Sequence, residues 1–346
     1  MNHAQLLESM DVLSAADVPG MIWGHPGCGK TDLVKHWAEK QDRYLHTQSA
    51  ATMEPTDLNV LWVIDGKAVT LPAPFFNHLN HGRKSVLFFD DATASLGTVQ
   101  RGLFRLIRDK VTGDQVLQNT WMLMAANLST DAAGTEHMPT PLRNRLVHIG
   151  LHCGIPQGKG LTDDEVRKMP GPAMLDGWST WALTNGIVTE VIAYHRWRSG
   201  ACLYLFDRTA YAWPSLRSWE FVSKILDQRP SANVEYELIL GSVGEAQALE
   251  FSGFLKLYRN LPSIDAILLG PHAAPIPKDP ATLYAVSTAL ARRASVDNFD
   301  AVTAYVDRLP QEFSVLTVKD ATALTPKLTN TRAFIAWAAK HTNVIV

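Results

Sequence analysis

Eight consecutive residues, Gly24-His25-Pro26-Gly27-Cys28-Gly29-Lys30-Thr31, carry the strongest chemical signal in this sequence. Glycines let a backbone curl until several N–H groups converge on one point. A helix starting there adds the positive end of its dipole, and the two together cradle phosphate. In such a loop Lys30 reaches the β- and γ-phosphates of ATP and the Thr31 hydroxyl is a ligand for Mg²⁺, with Asp32 following in the first helical turn. The pattern has this meaning between a strand and a helix. Apolar Met21-Ile22-Trp23 stands before it and an amphipathic stretch over residues 30–40 follows, whereas a glycine-rich turn with an incidental lysine would lack that frame.

Phosphate chemistry also needs carboxylates. The apolar run over residues 85–89 ends in Asp90-Asp91, which fits a strand buried on both faces and delivering two acids at its tip. Asp90 takes the magnesium role and Asp91 the polarisation of the attacking water. A second apolar run, residues 121–126, ends in Asn127, whose side chain can help to orient that water. Alone, such an asparagine is usually only a turn former. Arg143 and Arg145, in Pro-Leu-Arg-Asn-Arg-Leu, precede the last apolar strand and are placed to reach the nucleotide of a neighbouring copy. Arg217, in Trp-Pro-Ser-Leu-Arg-Ser-Trp, opens a helix further on and could fold back on the γ-phosphate.

The segments GHPGCGKT, FFDD, AAN, PLRNR and WPSLRSW follow one another in the order and at about the spacing of an AAA+ module. The chain resembles the MoxR-like branch of AAA+ ATPases, in particular bacterial and phage ATP-binding proteins with the pattern AANxxxD, MPTPLxNRxxH, WxxWA, PRSWExVS. The likeness continues through residues 241–246 (GSVGEA) and 261–265 (LPSID) and covers most of the chain. It implies a ring-forming, hexameric ATPase that remodels a protein partner, often a von Willebrand factor A-domain protein. It sets Lys30 and Thr31 at Walker A, Asp90 and Asp91 at Walker B, Asn127 at sensor 1, Arg145 at the arginine finger and Arg217 at sensor 2. Arg145 is preferred to Arg143 because it aligns with the arginine of the family's Asp-Arg-Phe ending. Two departures stand out: Asp91 replaces the usual glutamate, which implies slow turnover, and Ser-Leu-Arg replaces Thr-Pro-Arg.

These residues require a scaffold. Strands alternating with helices over the first ~150 residues predict an α/β domain with a parallel sheet flanked by helices, the P-loop AAA+ arrangement, over 1–151. The polar, Gly- and Pro-containing 152–175 reads as a linker or insertion. Helical periodicity then predicts an all-helical lid over 176–260 and a C-terminal helical region over 261–346. Tyr44-Leu45-His46-Thr47 and residues 146–151 read as further strands, and Val111 to Leu117, with Gly113-Asp114 at its centre, as a hairpin.

Composition bounds the function classes. The 346 residues are 46% hydrophobic and 19% charged, a globular balance with room for two cores. With 32 Lys+Arg against 34 Asp+Glu the net charge is −2, so no strong nucleic-acid binding is expected. Cys28, Cys153 and Cys202 lack CxxC spacing and fit a reducing compartment. No apolar run approaches the ~20 residues of a membrane span, and the first residues lack the basic, then apolar, order of a signal peptide. The expected location is cytoplasmic. Aromatic residues between Trp178 and Phe221, interleaved with Arg196, Arg198 and Arg208, could stack single-stranded nucleic acid, but a helical core with rim arginines is the plainer reading. His148, His152 and Cys153 are not taken as a metal site, nor Cys28 as a reactive thiol. Two other functions stay open at this point, a nucleic-acid motor or loader and a slow, ATP-gated scaffold.

Overall fold

The computed structural model describes residues 1–72, 74–79, 82–112, 115–131, 138–152, 171–207 and 209–341. It divides into two compact units, residues 1–169 and 170–346. In the first unit, helix α1 (His3–Ala15) is closed at its start by a capping box between Asn2 and Gln5, each side chain accepting the other's backbone N–H. Then come β1 (Gly20–Trp23), α2 (Lys30–Lys40), β2 (Tyr44–Ser49), a hairpin of β3 (Asn59–Ile64) and β4 (Lys67–Pro72), β5 (Ser85–Asp90), α3 (Gly97–Asp109), a small hairpin of β6 (Val111–Thr112) and β7 (Gln115–Val116), β8 (Thr120–Ala126), α4 (Thr140–Arg143) and β9 (Val147–Gly150).

Five strands form one sheet in the order β2-β5-β8-β1-β9, and every pairing in it is parallel. The central strands read as near-continuous apolar runs because both faces are covered. Leu87, Phe89, Met122, Met124 and Ala126 join one core with Val99, Leu103, Leu106 and Ile107 of α3, at helical spacing along one side of that helix. Alternate residues Val86, Phe88, Trp121, Leu123 and Ala125 are buried as well. Trp37 of α2 meets the Trp121 ring edge-on at 5.3 Å, which places α2 over the opposite face.

The predicted strand at 44–47 extends to Ser49. The hairpin near 111–117 is present as β6 and β7, its Gly113-Asp114 turn lying outside the described residues. The β3–β4 hairpin was not anticipated, although its signal is in the sequence. Asp65 and Gly66 both adopt positive φ, 51° and 74°, as a tight two-residue hairpin turn requires, and Asp-Gly is the dipeptide that favours it.

The second unit is helical: α5 (Gly171–Thr184), α6 (Thr189–Trp197), α7 (Leu216–Asp227), α8 (Ala232–Val243), α9 (Glu245–Arg259), α10 (Ile264–Leu269), α11 (Pro280–Arg293), α12 (Phe299–Val306), α13 (Gln311–Leu324) and α14 (Arg332–Lys340). Helix α5 begins within the stretch expected to be a linker, and residues 153–170 of that stretch lie outside the described residues. Within the predicted aromatic core, Trp178, Tyr194, Tyr204 and Trp219 are buried, while Tyr211 and Phe221 are exposed. The guanidinium of Arg196, on α6, forms a buried ion pair with Asp320 of α13, and α6 packs on α11. Helices on either side of residue 260 thus meet within the second unit.

Candidate functional site

In a parallel sheet a ligand crevice lies beyond the carboxyl ends of the strands. Gly24, Asp90 and Asn127 occupy those ends on β1, β5 and β8, which are successive or next neighbours in the sheet. The Gly24 N–H donates to Ala126 O (3.2 Å), tying the start of the loop to the end of β8. Gly27 and Gly29 have φ of 74° and 89°, the left-handed region that side chains disfavour, so the loop can curl only with glycine there. A Cβ on Gly24 would lie 2.8 Å from the Cys28 sulfur, so this position too is closed to larger residues.

Lys30 is the first residue of α2 and is 7% exposed. Its ammonium donates to Gly24 O (2.7 Å), His25 O (3.1 Å) and Asn127 Oδ1 (2.8 Å), which uses its donors and holds the charge in the curl of the loop. The Thr31 hydroxyl donates to Asp90 Oδ2 at 2.5 Å, and the Asp91 N–H donates to Asp90 Oδ1 at 3.0 Å. Asp91 itself has φ 52° and ψ 40°, a left-handed conformation that costs a non-glycine residue on the order of 1–2 kcal/mol. That turn presents its carboxylate to Asn127, whose Nδ2–H donates to Asp91 Oδ1 at 3.4 Å. Lys30, Thr31, Asp90, Asp91 and Asn127, read from three separate stretches of sequence, are thus one connected polar group.

The other residues have different surroundings. Asp32 is exposed and within 3.8 Å of Lys35. The His25 ring turns into the protein, where Nδ1 lies 2.7 Å from Asp131 Oδ1 with both side chains fully buried. Cys28 is buried, and burial pushes its thiol up, against the opposing pull of the Lys30 charge, so it stays a protonated packing group. Arg143 is exposed and donates to the Thr140 hydroxyl (2.9 Å); Arg145 donates to Pro141 O and lies over the Phe104 ring. Arg217 is exposed on the first turn of α7, in the second unit, behind the Ser215 cap. His148 accepts from the Trp23 indole (2.9 Å) and its other nitrogen meets Arg143 O (2.8 Å), so its ring is engaged structurally. Among the described residues there is no cluster of three or more metal-ligating side chains. Asp131 is the residue that sequence reasoning left without a role. An acid four residues past Asn127 was visible, but nothing in the sequence says that it is buried.

Residues 19–146 match the family of AAA domains (dynein-related subfamily). No curated protein matches the chain. Among solved structures, a point mutant of Thermotoga maritima RuvB is 16% identical, with 91% of this chain and 88% of that one covered and a TM-score of 0.40. A candidate ATPase from Cytophaga hutchinsonii ATCC 33406 is 13% identical over 99% of this chain and 90% of that one, with a TM-score of 0.33. Likenesses this distant carry no argument about fold or activity. The matched residues 19–146 lie within the first unit and span its five-stranded parallel sheet from the start of β1 to just before β9. The chain has the AAA+ P-loop fold, a parallel five-strand sheet flanked by helices, followed by a helical region. Among the described residues no helix is long and apolar enough to cross a membrane.

Proposed function

We propose that the protein binds ATP with Mg²⁺ at residues 24–32, hydrolyses it, and uses the cycle to remodel a protein partner as a MoxR-like AAA+ ring. The observation that carries this reading is the Lys30–Asn127–Asp91 chain of hydrogen bonds beside the Thr31–Asp90 pair. The residues fit the ligands. The glycine curl leaves backbone N–H groups for phosphate oxygens, Lys30 supplies a buried positive charge, and Thr31 with Asp90 forms a hydroxyl–carboxylate pair suited to a hard divalent ion. Bound magnesium supplies neutralisation of the phosphate charge. Lys30 exchanges its contact with Asn127 for a phosphate oxygen. Asn127, so released, orients a water, and the Asp91 carboxylate accepts that water's proton as the new P–O bond forms and the bond to the leaving ADP oxygen breaks. Arg145, with Arg143 as the alternative, serves a neighbouring copy's nucleotide in a hexamer, and Arg217 serves as the sensor of the second unit. The division of the chain into an AAA domain (1–151), a linker, a lid (176–260) and an extension (261–346) belongs to the same proposal, as does a cytoplasmic location.

A nucleic-acid motor would need free cations in the aromatic region. Among the described arginines of that region Arg196 is committed to Asp320 and Arg198 lies 2.7 Å from Glu250, while Arg208 lies outside the described residues; this favours the protein partner, a von Willebrand factor A-domain protein by resemblance. The test is steady-state ATP turnover at several protein concentrations, with and without oligonucleotides at two salt concentrations. Specific turnover should rise with protein concentration and stay within twofold on adding DNA. Concentration-independent turnover would refute the shared site. Several-fold stimulation by DNA, lost in Arg198→Gln and at high salt, would establish the motor.

A further inference from the structure

We propose that Asp131 is a positioning residue of the nucleotide site, fixing the phosphate loop against the end of β8 through the His25 ring. One carboxylate oxygen of Asp131 lies 2.7 Å from His25 Nδ1, and the other accepts the backbone N–H of Leu128 at 3.0 Å. Leu128 follows Asn127, and His25 lies within the loop. A closed ring results: Asp131 to His25, the His25 carbonyl to the Lys30 ammonium (3.1 Å), Lys30 to Asn127 Oδ1 (2.8 Å), and through Leu128 N–H back to Asp131. Asp131 thereby holds together the two segments that supply acceptors to Lys30.

The energetics favour this role over a purely structural one. Both side chains are fully buried. A buried charged or polar pair must first repay its desolvation, so apolar packing of the same volume is often equally stable or more so. What the pair provides that apolar packing cannot is direction. A carboxylate with two fixed donors sets the distance between two loops, and misplacement by about 1 Å at a reacting centre can cost on the order of a hundredfold. The His25 ring accordingly belongs to the support of the loop, whereas its backbone carbonyl belongs to the Lys30 cradle.

This inference rests on the ATP reading above, and its test separates the two. Mg·ATP binding is measured by calorimetry on wild type, Lys30→Ala, Asp131→Leu and Asp131→Asn, reading the dissociation constant and the stoichiometry. Irreversibly unfolded protein lowers the stoichiometry and leaves the dissociation constant of the folded fraction unchanged, whereas reversible unfolding raises the apparent constant only by the inverse of the folded fraction, which urea titration of each variant gives independently. A misplaced loop raises the dissociation constant. Asp131→Leu, which fills the space without hydrogen bonds, should raise it at least tenfold. Asp131→Asn can accept from Leu128 N–H and donate to His25 in its other tautomer, and should recover most of that loss. Unchanged affinity in Asp131→Leu, or equal loss in both variants, overturns the proposal. If Asp131→Leu does not fold, His25 decides: Asn places an N–H near Nδ1 and Gln places one near Nε2. His25→Asn should then bind ATP at least fivefold more tightly than His25→Gln, and equal affinities overturn the proposal. Failure of wild type to bind ATP, or unchanged affinity in Lys30→Ala, refutes the ATP reading itself.

Discussion

Replacement of Lys30 by alanine removes the one buried ammonium of the phosphate loop, and the structure sets the expected size of the effect. The three acceptors it leaves are Gly24 O, His25 O and Asn127 Oδ1. In the bound state the same ammonium would face phosphate oxygens, and a hydrogen bond between charged partners is worth about 1.5–3 kcal/mol. Since about 1.4 kcal/mol is tenfold in affinity, loss of one such bond weakens ATP binding at least tenfold and loss of two by roughly a hundredfold or more. The free protein should suffer too, because buried carbonyls that lose a donor cost about 1–3 kcal/mol each unless water replaces it. Two measurements on the same preparation address both effects: calorimetric titration with Mg·ATP and urea unfolding without nucleotide. An unchanged ATP dissociation constant in a folded Lys30→Ala variant would refute the assignment of residues 24–31. Lower stability accompanying the weaker binding would show that Lys30 also holds the loop in the free protein.

Asp91→Asn should bind ATP and fail to hydrolyse it, because the amide cannot take the proton of water. Asp91→Glu should hydrolyse at least as fast as wild type by restoring a longer reach, and wild-type turnover in Asp91→Asn would exclude Asp91 as the base. His195, fully buried among Trp178, Tyr194 and Trp219, has its pKa lowered to about 3 by burial. The unfolded chain takes up this proton near pH 6.5 and the folded chain does not until about pH 3. Stability is therefore complete above pH 6.5 and declines as pH falls from 6.5 towards 3, by about 2 kcal/mol between pH 8 and pH 5. Unfolding free energies from urea titration across that range should fall less steeply in His195→Phe by about this amount, and parallel profiles would refute the buried-neutral histidine.

The sequence by itself determined the pieces whose physics is local. The glycine curl, Lys30 and Thr31 at a helix start, and the apolar strands ending in Asp90-Asp91 and Asn127 were all legible, because strand burial and loop curvature leave direct marks on residue type. The Asp65-Gly66 hairpin was just as local and was overlooked. Tertiary structure alone decided what depends on strand order and side-chain direction. Placing β8 between β1 and β5 brings Asn127 within reach of both Lys30 and Asp91, residues 97 and 36 positions away in the chain. The burial of Asp131 against His25 likewise exists only once the ends of β1 and β8 lie side by side. A carboxylate's sequence neighbours look the same whether it faces water or a histidine 106 residues earlier, since desolvation and pairing are properties of the packed chain.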